Sequence, residues 1–359
     1  MRAPHLASRP LIVAAAALVA CAPACAPAGG RGAASSRAHG GVAVRAEDVR
    51  ASLFALAADS MEGRMTGTPG GARAARFIAE QLRAYGVAPA GDSGYFQRVP
   101  LALVTHPNGR RLPALLPGWT DADTVPPERR LTGVNVAGLL GGRDPAVRDE
   151  AVLVDAHYDH LGVGPAVAGD SIYNGADDDA SGVVTVLEIA RSLARGPAPR
   201  RTVVFLATTG EEVGLLGTRW YIDHPVVPLD RTVANLEVEM IGRPDSLAGG
   251  AGRAWLTGYE RSTMGDALKA AGIPIVADPR PSQNFFERSD NIAFARRGIP
   301  AHTLSSFNLH EDYHTPADGP ERVDVAHMTR VIEAAVRAVR ILADSAAPQW
   351  KEGMRPSAQ

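Results

Sequence analysis

Five short polar segments carry most of the side chains that could do chemistry. They are "VDAHYDHLG" at 154–162, "NGADDDASG" at 174–182, "TTGEEVG" at 208–214, "EVEMIGRPD" at 237–245 and "HEDYHTPAD" at 310–318. Together they offer His157, Asp159, Asp178, Glu211, Glu212, Glu239 and His314, a set of oxygen and nitrogen donors with no sulfur. Carboxylates bridge and imidazoles terminate, so such a set suits two divalent, zinc-like ions about 3.5–4 Å apart. One acidic loop is ordinarily solvated surface; five loops that each flank an apolar run point to a site. The adjacent pair Glu211 and Glu212 poses a further question. Strand neighbours face opposite ways, so one of the two would be buried without a partner unless something nearby recruits both.

The elements that must position these residues are legible in the flanking patterns. "EAVLVDAHYD" and "RTVVFLATT" are apolar along their length, as are the runs "TGVNVAGLLGG" and "RTVANLEVEMIG", and all have strand length. Between and around them lie helical periodicities. These are "EDVRASLFALAADS", "PGGARAARFIAEQLRAYG" closed by Gly86, "SGVVTVLEIARSLARG" with Ser181 as cap, "LLGTRWYIDH", "RSTMGDALKAAG", a short helix from Ser289, and a long final helix over 323–345. "GIPIV" and "GIPAHTLS" supply later strands. Buried strands alternating with helices predict an α/β fold, a three-layer α/β/α sandwich around a mostly parallel mixed sheet, as one domain over 46–346. The polar clusters then sit at strand C-termini, where open α/β sheets build their sites. The proline-rich stretch 106–131 reads as a surface excursion, and 347–359 as a disordered tail.

At 359 residues with 45% apolar side chains the chain can bury a large core. A net charge of −2 without a basic block argues against a nucleic-acid partner, and Lys269 and Lys351, the only lysines, make Schiff-base chemistry improbable. Arg2 and Arg9 lead into "LIVAAAALVAC", read as a signal peptide over 1–20 and too short to span a bilayer. Its end resembles a bacterial lipobox, which implies lipidation of Cys21, a flexible tether over 21–45, and an exported lipoprotein of the cell envelope at the periplasmic face or outer membrane, or otherwise a secreted protein. Cys21 and Cys25 are the only cysteines, so the folded part has neither a disulfide nor a thiolate metal site.

In order and spacing, the five segments resemble the secreted di-zinc exopeptidase family of bacterial leucyl aminopeptidases and glutamate carboxypeptidases, over about 47–345. The resemblance implies that His157 binds one metal and that Asp159 orients its imidazole from behind. Asp178 would bridge the ions, with Asp177 and Asp179 as loop and cap residues. Glu212 and His314 would hold the other metal, and Glu211 would be the general base. Tyr313 matches a position that in some relatives donates to the oxyanion. The cofactor implied is two Zn2+ per chain, with cobalt or manganese as substitutes, and the partners are peptide substrates. The activity implied is that of an aminopeptidase. Alternatives on the same scaffold are a dipeptidase or carboxypeptidase, and a catalytically silent, transferrin-receptor-like binding module.

Two departures and one decoy stand out. Glu239 occupies a position where aminopeptidase relatives carry aspartate, and Glu237, two residues earlier, faces the same side; the register of "MIGR" favours Glu239. "SDN" at 289–291 replaces the "SDH" of many relatives. "HEDYH" at 310–314 is a literal HExxH, but that motif needs a helix, and Pro316 follows at once. His160, His302 and His310 are left outside the metal shell as packed or hydrogen-bonded side chains.

Overall fold

Alternate residues of the central strands feed two different cores. In the strand Ala151–His157, Val152, Val154 and Ala156 face one side and Ala151 and Leu153 the other. In Thr202–Thr208, Val203, Phe205 and Ala207 pair off likewise against Val204 and Leu206. A sheet apolar on both faces must be covered on both, which is the reason for three layers. The computed structural model describes residues 43–107 and 109–358. The expected signal peptide, Cys21 and nearly all of the tether lie outside them.

The main path of the sheet uses β1 (Phe96–Thr105), β2 (Arg111–Leu115), β3 (Arg130–Leu140), β4 (Ala151–His157), β5 (Thr202–Thr208), β6 (Thr232–Val238), β7 (Ala254–Leu256), β8 (Ile275–Ala277) and β9 (Ala301–Ser305). Their order is β8-β7-β9-β6-β4-β5-β3-β1-β2. The four central strands β9, β6, β4 and β5 are mutually parallel, with antiparallel strands at the flank that begins with β3. One face is covered by α1 (Ala46–Leu56), α2 (Pro69–Tyr85), α3 (Ser181–Ala194) and the terminal helix Val325–Asp344, through residues such as Leu53, Ile78, Leu187 and Val331. The other is covered by the shorter helices Leu216–Asp223 and Asn291–Arg296, through Tyr221, Ile222, Ile292 and Phe294. Among the described residues no helix is long and apolar enough to cross a membrane.

Three expectations need correction. The 106–131 excursion contains β2, which pairs with β1 from Leu101↔Leu115 to Thr105↔Arg111. The residues after the terminal helix, expected to be a disordered tail, dock: Trp350 Nε1 donates to Gly298 O at 2.9 Å and Lys351 N to Arg261 O at 2.8 Å. Ser181 lies inside α3 and does not cap it; Asp179 Oδ1 instead accepts from Gly182 N at 2.9 Å. A carboxylate at a helix N-terminus also meets the positive end of the helix dipole.

Candidate active site

Each parallel strand ends in a turn that delivers its polar segment to one edge of the sheet. β4 ends at His157, whose Nδ1 lies 3.1 Å from the carbonyl of Asp159. The Asp159 carboxylate is farther off, at 3.8 Å, and accepts instead from Glu211 N at 3.2 Å. The expected orienting contact therefore runs through the Asp159 carbonyl, while its carboxylate fastens the neighbouring turn.

The three aspartates of 177–179 divide their work. Asp177 Oδ1 accepts from Gly242 N at 2.6 Å and Asp179 Oδ1 from Met240 N at 3.0 Å, so both brace the segment that follows β6. Asp318 accepts from the backbone nitrogens of Asp177 and Asp178 and holds the loop from below. Only the Asp178 side chain is left between imidazoles, 3.3 Å from His157 Nε2 and 3.1 Å from His314 Nε2.

After β5 the chain opens at Gly210 (φ 78°), where a Cβ would meet Leu216 Cβ at 2.9 Å, so the backbone there is reserved for glycine. In this turn Glu211 and Glu212 escape strand alternation. Glu212 Oε2 is 3.2 Å from His314 Nε2, and Glu212 Oε1 is 2.7 Å from His160 Nδ1. Glu211 lines the same cavity as Asp178 and Glu239.

Two donor groups emerge, His157–Asp178–Glu239 and His160–Asp178–Glu212, with His314 beside the second. Asp178 is common to both. Glu239, one residue beyond the end of β6, reaches the first group, as the register of "MIGR" implies. Glu237 does not. Its carboxylate is consumed by Ser289 Oγ, Asp290 N, Asn291 N and Thr303 Oγ1 at 2.5–3.0 Å. Asn291 of "SDN" thus contributes a backbone N–H to this anchor, and its side chain caps Phe286 O.

His160 was expected outside the metal shell; the structure brings it into the second candidate donor group. It follows β4 by three residues, is fully buried, and both ring nitrogens lack a hydrogen-bond partner among the described residues. Its approach depends on the 158–162 turn, which strand periodicity does not encode. The other two histidines do stay out: His302 is held between Ser262 Oγ and Thr257 O, and His310 lies 2.9 Å from Asp177 Oδ2. Residues 311–314 form turns, so the HExxH string never presents its histidines on one helical face. Tyr313 stacks on His314 at 3.8 Å between centroids and lines the cavity.

Arg64, fully buried, ties the ligand loops together. Its guanidinium donates to the carbonyls of Tyr158 (2.7 Å), Asn174 (2.5 Å), Gly175 (2.7 Å) and Leu56 (3.0 Å). Burial lowers its pKa, against the pull of Asp318, Asp178, Asp159 and Asp179. No motif pointed to it, since its role is a set of backbone contacts.

The electrostatics are those of an anion cluster seeking cations. Burial, then the neighbouring Glu237, pushes Glu239 up to about 8, and burial with the charges of Glu239, Asp290 and Glu212 holds Glu211 well above the usual carboxylate range. Burial opposes protonation of His314, yet Asp178 and Glu212 raise it to about 10. The donor atoms decide what fits: His157 Nε2, both nitrogens of His160 and Glu212 Oε1 are buried and close to one another, His160 Nδ1 and Glu212 Oε1 only 2.7 Å apart, yet none makes an aligned hydrogen bond. Imidazole nitrogens and carboxylate oxygens left unsatisfied in one place are a zinc-type donor set. A cavity of about 180 Å3 opens beside them, with Trp255, Phe285 and Phe307 among its walls; a second, of about 250 Å3, lies on the other flank of Glu212 and His314.

Comparison with known proteins agrees with this geometry. A model of "Peptidase family M28" matches residues 135–339. A "Vacuolar membrane protease" of Aspergillus clavatus is 32% identical over 212 residues, 55% of this chain and 19% of that protein. A "Probable leucine aminopeptidase 2" of Aspergillus fumigatus is 30% identical over 256 residues, 69% of this chain and 44% of that protein. The chain thus spans less than half the length of either relative. A zinc aminopeptidase from Bacillus subtilis superposes with a TM-score of 0.59 at 16% identity, over 87% of this chain and 99% of that one, a likeness of fold.

These relatives also overturn one expectation. The reading of a bacterial cell-envelope lipoprotein does not stand, because the curated matches include several fungal proteins named for the vacuolar membrane. A short apolar run ending in cysteine arises easily in an alanine-rich N-terminus, whereas the similarity rests on 212 aligned residues.

Proposed function

Because the chain belongs to peptidase family M28, we propose that it is a two-zinc aminopeptidase that releases N-terminal residues from peptides. The observation that carries this reading is the convergence of His157, His160, His314, Asp178, Glu212 and Glu239 beside a cavity of about 180 Å3. That volume is below the roughly 300–1,000 Å3 of drug-sized sites and suits a single side chain, as an exopeptidase requires. The similarity to a probable leucine aminopeptidase supports the amino-terminal direction.

His157 and Glu239 would hold one ion, Glu212, His160 and His314 the other, and Asp178 both. Zinc there would supply Lewis acidity, lowering the pKa of water towards about 7 and polarising the scissile carbonyl. Glu211 takes the proton of the attacking water and passes it to the departing amine nitrogen. Burial and the neighbouring carboxylates raise its affinity for protons, which favours taking one from water. The Asp159 carboxylate holds the Glu211 backbone, which fixes where that base is presented. Tyr313, packed on His314 and facing the cavity, donates a hydrogen bond from its hydroxyl to the oxygen that becomes anionic.

A panel of free-amino, N-acetylated and C-amidated peptides, assayed with zinc present, tests the direction. Free-amino peptides should be cleaved irrespective of C-terminal blocking, and N-acetylation should abolish turnover. Unchanged cleavage after N-acetylation would transfer the assignment to a carboxypeptidase.

A further inference from the structure

The aromatic cavity beside the donor groups carries a polar feature that peptide hydrolysis does not use. Trp255, at the centre of β7, is 2% exposed, and its indole Nε1–H is buried with no acceptor. An unsatisfied buried N–H is costly, and in a cavity wall it marks a place where a ligand atom is expected. Arg288 lines the same cavity. It has no ion-pair partner among the described residues, and its guanidinium carbon rests 5.0 Å from the centroid of Phe285, the ring on which Trp255 stacks at 5.1 Å. Thr257 adds a third polar group: its hydroxyl oxygen accepts from Thr303 N at 2.8 Å, which leaves its proton to give.

Arg288 is not on a loose loop. Its backbone nitrogen closes a turn on Phe285 O at 3.1 Å, and the next residue, Ser289, donates its hydroxyl to Glu237 at 2.5 Å. The charge balance points the same way. Asp178, Glu211, Glu212 and Glu239 are the carboxylates of the cavity wall, and two divalent cations neutralise four carboxylates. Arg288, solvent-exposed at the rim, is then the guanidinium of the lining that no carboxylate of the wall pairs.

We infer that this cavity selects a substrate side chain bearing a carboxylate, so that the residue released is glutamate or aspartate. The inference rests on the aminopeptidase reading and names its substrate class. The methylenes of the glutamate side chain lie along Phe285 and Phe307, and its carboxylate accepts from Arg288 and from the Trp255 indole. Glutamine satisfies the indole and leaves the charge unpaired; leucine does neither. A site that hydrogen-bonds its substrate discriminates strongly against analogues that lack the acceptor.

The test uses the zinc-loaded chain and the p-nitroanilides of glutamate, glutamine and leucine, which have no C-terminal carboxylate. The expected order of kcat/KM is Glu above Gln above Leu, with glutamate ahead of leucine by at least about tenfold. Arg288→Met should lower the Glu/Leu ratio by a further order of magnitude, and Arg288→Lys should restore part of it. Equal or better hydrolysis of the leucine compound, with a ratio unmoved in Arg288→Met, overturns the inference. If no free-amino substrate is cleaved, the aminopeptidase reading fails, and calorimetric titration with L-glutamate and L-leucine decides the cavity separately. Binding of glutamate that Arg288→Met abolishes upholds the carboxylate pocket; absence of glutamate binding, or binding that ignores the substitution, overturns it.

Discussion

Two carboxylate clusters lie one behind the other in this molecule, built from the same strands two residues apart. Asp155 and Glu237 are register partners on β4 and β6 and meet Asp290; His157 and Glu239, each two positions on, meet Asp178. The inner cluster is fully buried, and its Glu237 receives four hydrogen bonds from protein groups, while Asn235 Nδ2 donates to Asp155 and Thr208 Oγ1 to Asp290, both at 2.6 Å. The outer cluster faces a cavity and includes imidazoles; unpartnered atoms occur in both, Asp155 Oδ2 and Asp290 Oδ1 in the inner one and imidazole nitrogens with Glu212 Oε1 in the outer. Acidic residues at the same spacing therefore serve two ends. Where N–H and O–H groups surround them they staple β6 to the loop at 285–291, and where imidazoles replace those groups they form a donor set suited to a metal.

The contrast is sharpest for single substitutions. Glu211→Gln removes the base and leaves the proposed ligands in place, so kcat should fall by about 10²–10⁴-fold. Zinc content, measured by mass spectrometry of metals, should stay at that of the unmodified protein. Retained turnover in this variant would move the base elsewhere. Glu237→Gln should act chiefly on the inner cluster, reaching the outer one only by easing the upward push on Glu239. It strips acceptors from buried donors and should cost roughly 2–5 kcal/mol in denaturant unfolding, with zinc binding per folded chain preserved. Asp178→Asn should do the reverse, losing zinc in equilibrium dialysis with a smaller change in metal-free stability. If Glu237→Gln instead lost zinc at unchanged stability, the two clusters would be one.

A smaller effect is expected from pH. In the metal-free chain burial holds protons on Glu211, Glu239, Asp179, Asp155 and Asp290, with Glu239 at about 8 and Asp290 at about 7. These groups bind more protons folded than unfolded, so their contribution is present below the unfolded carboxyl pKa of about 4 and is lost as pH rises through the folded values. His314, at about 10, acts in the same direction from about pH 6.5 upwards. Asp178 and Glu212, both lowered, lose their contribution only in acid, below about pH 4. Chelator-treated protein should therefore melt at a lower temperature at pH 8 than at pH 5.5, and added zinc should stabilise it more at pH 8. Equal melting at both values would mean that the outer cluster has found partners within the protein.

How much of this was legible from residues alone follows from what each residue depends on. The apolar runs of β4 and β5, and the polar segments at their ends, carry a local signal, so the layered fold and the placing of His157, Asp178, Glu212 and His314 at one edge could be read. β1 could not: Arg98 and Pro100 interrupt its pattern, and proline argues against a strand interior. His160 depends on a turn, Glu237 on a loop some 50 residues later, and Trp350 on a contact with Gly298. In each case the partner is set by tertiary packing, which periodicity does not record.

Arg64 bears on where this domain begins. The family match starts at residue 135, yet the guanidinium that grips the carbonyls of Tyr158, Asn174 and Gly175 belongs to a segment 71 residues upstream of that boundary, itself fastened at Leu56. The smallest fragment able to assemble the ligand loops is thus longer than the recognisable motif region. Cutting at 135 would keep every proposed zinc ligand and discard the keystone on which two of the loops rest.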